Sequence, residues 1–523
     1  MKLKKVLAVL MTSAMIMGSA VTTFAAIPDE NDAATVYVEN IEQGATVKAY
    51  QIVQANYNSN GFIGYSPVEI NNLTVEDAEK PTSEEVADIA AYINSDAYEE
   101  NPLKEAPLTD ADSDGVYTGN LNPGYWVVLV RDLKGAVKVY NPMLVGVYYT
   151  TNGPEGAYTT TATEADPLDA ESNWSLGTDN AWAKSSDVPF EKTAKDTANL
   201  GEEVPFEITT TIPSYGPEYT EVVFNISDSL TDLELTEDGI TVQEYVGDTW
   251  TAIDNTENSV YTINPQTKTN FTISFDSEWI LQNGGKQIKV AYNAKVTGEG
   301  VNEDSHDNNA TLTYTNNPGE NNGGKTDTEK VYTFDIDGDV TADIIQKVQP
   351  GVEEGTTAPL QYAEFTLYTD QECKTQYTNA EHTTGVPTAI SDASGKLEIT
   401  GLAAGTYYLK ETKAPGNFTL NNTVYKIDIS ATIEDEELKS WDIIVTDMTT
   451  NNKASNSFTV SHDSGATTVT SGEDNKKTEI MNTELSTLPS TGGIGTTIFT
   501  IGGCTIMIAA AGLYFASRRK ESK

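Results

Sequence analysis

An apolar run from about Ile494 to Ala516 ends in Arg518, Arg519 and Lys520. It is long enough to cross a bilayer as a helix, which takes about 20 apolar residues. The basic cluster behind it belongs on the cytoplasmic side. At the other end, Lys2, Lys4 and Lys5 precede a second apolar stretch, Val6 to Met17, and small residues continue to Ala25 and Ala26. Charge, apolar core and small residues in that order make a secretory leader. A chain bracketed in this way folds outside the cytoplasm, and the part that folds is the body between, residues 27–491.

That body is about 465 residues, too many for one core, and at about 150 residues per domain it predicts three domains. The whole chain holds 32 basic and 78 acidic residues. The leader removes Lys2, Lys4 and Lys5; the tail removes Arg518, Arg519, Lys520, Lys523 and Glu521. What remains is 25 basic and 77 acidic residues, a net charge of −52. Such a body excludes nucleic acid as a partner, since binding there rests on cations meeting phosphates. Of the two cysteines, Cys504 lies in the tail, so Cys373 has no partner with which to form an internal disulfide. His306, His382 and His462 fall in polar stretches with no zinc-site spacing, and are expected to be solvated, with no metal and no cofactor.

Between the apolar ends the pattern is one of strands. Alternating runs rich in Val, Ile, Thr and aromatics recur between Gly and Asn turns, as at Val36–Val38, Tyr125–Val130, Val204–Ile212, Lys286–Val296 and Thr311–Tyr314. One helix interrupts the first block. Thr82 or Ser83 caps it, Glu84 and Glu85 suit its first turn, and Val86, Ile89, Ala90 and Ile93 share a face. Residues 150–185 read as a linker or closing segment, and Asn316–Lys325 as an exposed loop. An internal echo links the first and third blocks: a Gly turn, a strand, a Gly loop at Gly124 or Gly405, then a second strand. The fold class is all-β, tandem β-sandwiches with one small helix in the first. Asp110-Ala-Asp112-Ser-Asp114-Gly115 opens like a calcium loop, but its twelfth position is Leu121 where an EF-hand needs Glu, so a turn is expected.

Leu488-Pro489-Ser490-Thr491-Gly492, the apolar run and the basic tail together resemble the sorting signal of Gram-positive surface proteins. In that family a sortase cuts between Thr and Gly and passes the Thr carbonyl to an amine. Gly405-Thr-Tyr-Tyr-Leu-Lys-Glu411-Thr-Lys-Ala-Pro-Gly416 resembles the acid-bearing box of Cna-B-type pilin domains. The chain as a whole is similar to sortase-assembled major (backbone) pilins. The resemblance implies a leader (1–26), an N-terminal sandwich (27–183), a middle Cna-type sandwich (184–340), a Cna-B-type domain (341–485) and the sorting signal (486–523).

The same resemblance implies chemistry. In such domains a first-strand lysine joins a last-strand asparagine as an amide beside a buried acid. The matching residues are Lys347, Asn482 and Glu411 in the third block, and Lys192, Asn309 and Asp228 in the middle one. Lys195 competes with Lys192, and Asn308 with Asn309. Burial lowers a lysine's pKa and raises a carboxyl's, leaving a neutral nucleophile beside a proton donor. In the first block the echo sets Val130 where Glu411 stands, so no bond is expected there. Lys48 then reads as a solvated strand lysine and Asn141 as a turn residue, and Asp132 is two residues off register. Lys184, in Ala181-Trp-Ala-Lys184-Ser-Ser, stands where pilins carry the lysine that receives the next subunit, although the Tyr-Pro-Lys-Asn motif is absent.

The implied function is structural. Copies of the chain are joined from Thr491 to Lys184 by a class C sortase, and a housekeeping sortase moves the product to peptidoglycan. The alternative is a monomeric wall-anchored adhesin. No nucleophile with a base in a recognisable setting argues for a turnover enzyme.

Overall fold

The computed structural model describes residues 23–24, 27–71, 73–100, 102–131, 138–151, 162–169, 174–256, 259–298, 305–316, 323–336, 344–449, 456–463, 466–471, 477–485 and 494–520. Most of the leader, Asp132 and the pentapeptide Leu488–Gly492 therefore lie outside the described residues. The chain divides into two compact units, Met1–Thr333 with Asp435–Glu437, and Phe334–Glu434 with Leu438–Lys523.

The first unit begins with a large sheet. Its strands run in the order Thr23–Phe24, Trp174–Asp179, Met143–Thr151, Gly124–Arg131, Thr46–Asn58, Gly61–Pro67, and Glu105–Leu108 also pairs with Thr46–Asn58. A small sheet of Ala181–Trp182, Ala34–Glu39 and Tyr117–Leu121 accompanies it. Alternation along Gly124–Arg131 feeds two cores. Trp126, Val128 and Val130 join one with Val36 and Val38, while Val127 and Leu129 join another with the helix. That helix, Ser83–Ile93, is capped by Thr82 in a capping box with Glu85, and buries Val86, Ile89, Ala90 and Ile93. Gly124 opens its strand at φ +139°, where a Cβ would lie 1.9 Å from the Val53 carbonyl oxygen. No other residue fits there.

The same unit continues as a sandwich of two facing sheets. One runs Phe190–Thr193, Glu203–Thr211, Gln287–Val296, Thr241–Val246, Thr249–Ala252, with Leu233–Leu235 also on Gln287–Val296. The other runs Tyr261–Gln266, Asn270–Phe275, Phe224–Leu230, His306–Tyr314, Gly323–Val331. Their inner faces meet in one apolar core that includes Phe206, Ile208, Ile226, Phe271, Val290 and Leu312.

Two regions depart from expectation. The segment 174–187 is not a linker: it supplies three strands, the last of which, Ser185–Asp187, pairs with Lys138–Tyr140. Gly323–Val331 is a strand although its sequence is polar: it pairs along its length with His306–Tyr314 at the sheet's edge and buries only Gly323, Glu329 and Val331. His306 is also not solvated. It sits fully buried at the start of the His306–Tyr314 strand.

In the second unit a seven-stranded sheet runs Ala389–Ile390, Glu364–Tyr368, Gly405–Lys413, Val424–Glu434, Glu437–Asp447, Asn456–Asp463, Ala466–Ser471. Thr357–Pro359, Ile345–Pro350 and Thr478–Met481 form a second sheet, in which the first and last of the unit's long-range partners, Lys347 and Ile480, pair in parallel. The terminal helix Ile494–Lys520 contains a 23-residue span, Thr497–Arg519, of mean hydropathy 1.8, long and apolar enough to cross a membrane.

Candidate functional site

Two buried clusters of the same three groups stand out. In the second unit, Lys347 lies on Ile345–Pro350, Glu411 on Gly405–Lys413, and Asn482 just beyond Thr478–Met481, none more than 1% exposed. The Lys347 Nζ donates to Glu411 Oε2 at 3.0 Å and to Asn482 Oδ1 at 2.6 Å. Asn482 Nδ2 donates to Glu411 Oε1 at 2.6 Å. One carboxyl thus touches both the amine and the amide nitrogen. The Phe365 ring lies 5.6 Å from Nζ. Burial holds the Lys347 pKa below the ordinary lysine value, and Glu411 opposes it.

The middle cluster spans its sandwich. Lys192 comes from an edge strand of one sheet, Asp228 and Asn308 from adjacent strands of the other. Lys192 Nζ donates to Asp228 Oδ2 and to Asn308 Oδ1, each at 2.5 Å. Burial holds Lys192 below the ordinary lysine pKa, against the pull of Asp228. Burial raises the Asp228 pKa, against Lys192 and Tyr292.

Asn309 is not part of this cluster. It is exposed, while Asn308 is fully buried. The reason is strand alternation: Asp228 pairs with Ala310, so Asn308 and Ala310 share its inward face, and Asn309 pairs with outward Ser229. The signal was present in the sequence, because Leu312 and Tyr314 have the parity of Asn308. Lys195 is half-buried and bonds Glu202, away from any asparagine carboxamide of the cluster.

Two further residues were not anticipated. Tyr292 donates its hydroxyl to Asp228 Oδ2 at 2.9 Å and accepts from Asn308 Nδ2 at 2.8 Å. Glu329 faces Asn308 across the ladder, and burial pushes its pKa up to about 7.

The first sandwich differs. Lys48 is solvent-facing and pairs with Glu105 at 3.1 Å, and Val130 is a core residue. Lys184 lies between Ala181–Trp182, which pairs with Val38–Glu39, and Ser185–Asp187. Its carbonyl accepts from Asn141 N at 3.2 Å. It lines a pocket of about 90 Å³ with Val86, Met143, Leu144, Trp182 and Pro217, and Trp182 is exposed. The Asp110–Gly115 segment is a turn, its carboxylates accepting from the backbone N–H of Asp114, Gly115 and Val116. Among the described residues no group of three or more His, Cys, Asp or Glu could hold a metal.

Comparison with known proteins agrees with this anatomy. Residues 31–169 match the T6 antigen Ig-like domain, 346–443 a prealbumin-like fold domain, and 481–523 the LPXTG cell wall anchor motif. The anchor and the sandwiches define a cell-wall-anchored Gram-positive surface protein that passes through a membrane stage. Over 97% of its length the chain is 27% identical to the trypsin-resistant surface T6 protein of Streptococcus pyogenes serotype M6, of which it covers 98%. The solved T6 backbone pilin of that serotype shares the fold, with a TM-score of 0.59 at 20% identity over 88% of this chain and all of that one. Along nearly its whole length the chain is thus similar to a streptococcal surface protein, it carries an LPXTG anchor motif, and its fold is that of a solved backbone pilin.

Proposed function

We propose that the chain is the backbone subunit of a covalent pilus, built as three sandwiches (27–183, 184–340 and 341–485) and locked by two intramolecular Lys–Asn amides. The observation that carries this reading is the pair of buried clusters, each with an amine, a carboxyl and a carboxamide in mutual contact. A buried salt bridge alone contributes little net stability and is a poor reason to keep such groups.

The chemistry follows from the contacts. In the second unit the Lys347 amine attacks the Asn482 carboxamide carbon as a neutral nucleophile and gives its surplus proton to Glu411 Oε2. The new C–N bond forms, the old one breaks, and Glu411 returns a proton through Oε1 to the departing nitrogen, which leaves as ammonia. Atoms balance and Glu411 is regenerated. Lys192 and Asn308 join in the same way beside Asp228. Packing holds the partners together, so proximity supplies much of the acceleration. Each bond closes once.

Between subunits, a class C sortase cuts after Thr491, holds it as a thioester, and passes it to the Lys184 amine. A housekeeping sortase then transfers the last Thr491 to peptidoglycan. The apolar pocket beside Lys184 and its bracing by two strand ladders support a presented acceptor. Lys184→Ala is expected to abolish the detergent-resistant high-mass ladder formed beside the sortase. A ladder that persists contradicts the acceptor role. Wild-type chain that makes no ladder favours a monomeric adhesin.

A further inference from the structure

The two clusters differ in how the acid reaches the leaving nitrogen. Glu411 touches Asn482 Nδ2 itself. Asp228, one methylene shorter, makes no hydrogen bond with Asn308. The Tyr292 hydroxyl stands between them, 2.9 Å from Asp228 Oδ2 and 2.8 Å from Asn308 Nδ2. The orientation of the amide is fixed by chemistry: a lysine amine facing it as donor requires the oxygen on that side, which leaves the nitrogen to Tyr292. Tyr292 is buried, stacked on Phe206 at 5.6 Å and edge-on to Phe271 at 5.2 Å, so its hydroxyl cannot turn to solvent.

We propose that Tyr292 is a catalytic residue of the middle cross-link, relaying a proton from Asp228 to the departing nitrogen of Asn308. This rests on the cross-link reading above. Lys192 Nζ bonds to the Asn308 carboxamide carbon and gives a proton to Asp228 Oδ2. That proton passes to the Tyr292 oxygen as the tyrosine's own proton moves to Nδ2. The carbon–Nδ2 bond breaks and ammonia leaves, with Asp228 and Tyr292 both restored. In the amide Nδ2 is a donor. Once the carbon becomes tetrahedral its lone pair is free, and the same 2.8 Å contact reverses direction.

The test follows bond formation in the full chain after a pulse of synthesis in a Gram-positive host. Digestion and mass spectrometry read the Lys192–Asn308 and Lys347–Asn482 peptides in the same sample. Tyr292→Phe keeps the ring packing and is expected to slow the first bond about a hundredfold, the range of a lost acid–base group, leaving the second unchanged. A wild-type rate in Tyr292→Phe overturns the relay while leaving the cross-link standing. Absence of the Lys192–Asn308 peptide from wild type overturns both. Asp228→Glu/Tyr292→Phe separates chemistry from folding, since the longer acid reaches the amide directly, as Glu411 does. Recovery of the bond supports the relay. A double variant as slow as the single one, with the His306–Tyr314 amides still protected from exchange, shows a structural deficit and overturns it.

Discussion

The middle and C-terminal clusters hold the same amine and carboxamide, yet they are built differently. The C-terminal one joins two strands that pair in parallel, and a glutamate spans from amine to amide nitrogen. The middle one bridges two facing sheets, and between its shorter aspartate and the amide nitrogen stands a tyrosine hydroxyl from the opposite sheet. The difference teaches that the proposed reaction demands contacts and not a particular acid. Once burial has set the protonation states, any chain of hydroxyl and carboxyl between the two nitrogens completes the circuit. The first sandwich shows the converse. There valine stands at the acid's place and Lys48 faces solvent beside Glu105, so among the described residues neither belongs to a buried amine–acid–carboxamide cluster.

The largest expected effect comes from removing an amine. Lys192→Ala and Lys347→Ala each lose one cross-link, closing sequence separations of 116 and 135 residues. Loops of that size contribute about 5 kcal/mol through the unfolded state. Denaturant unfolding should show each loss confined to its own sandwich; equal loss in both sandwiches from one substitution breaks the comparison. Shortening the glutamate comes next. Glu411→Asp can no longer touch Asn482, whose side chain bonds Lys347 and Glu411 and no tyrosine hydroxyl, so the C-terminal bond should form at least about tenfold more slowly, as a lost acid–base contact demands. Time-resolved intact mass reads this, and an unchanged rate denies that the reach of the acid matters.

A smaller effect is pH dependence in the middle sandwich. Burial lowers the His306 pKa, with Asp232 and Asp307 opposing. Below the unfolded value of about 6.5 the unfolded chain takes up a proton that the folded one refuses. The contribution of His306 is therefore full above that pH and falls as pH drops toward the lowered folded value, by at most about 1.4 kcal/mol per pH unit. Glu329, raised to about 7 on the neighbouring strand, titrates with the opposite sign in the same window, so the measurement is the difference in exchange protection of the His306–Tyr314 strand from pH 7 to 5 between Lys192→Ala and Lys192→Ala/His306→Gln; identical profiles contradict a buried neutral imidazole. Smallest of all is Asn309→Ala, an exposed change that should leave the bond intact and stability within about 0.5 kcal/mol, whereas Asn308→Ala abolishes the bond.

Much of this was legible in the sequence, for identifiable reasons. The sorting pentapeptide, the apolar helix, the capped Ser83–Ile93 helix and the Gly124 and Gly405 strand starts are local signals, each set by a few neighbouring residues. Asn308 was open to inference from the parity of Leu312 and Tyr314, but adjacent asparagines hide the choice unless the register is counted. Tyr292 was not legible. It shares the buried parity of Val290 and Ala294, and nothing local separates a core tyrosine from one aimed at a carboxamide on the facing sheet. Strand Gly323–Val331 was hidden by its polar composition, and 174–187 by the glycine, serine and aspartate set among its buried Trp174 and Leu176.

The most direct test of the account is the intact mass of the exported body, with peptide mapping of its cross-links. The account predicts the loss of two ammonia molecules, one at Lys192–Asn308 and one at Lys347–Asn482. An unreduced mass, or a bond from Lys192 to Asn309, would contradict it.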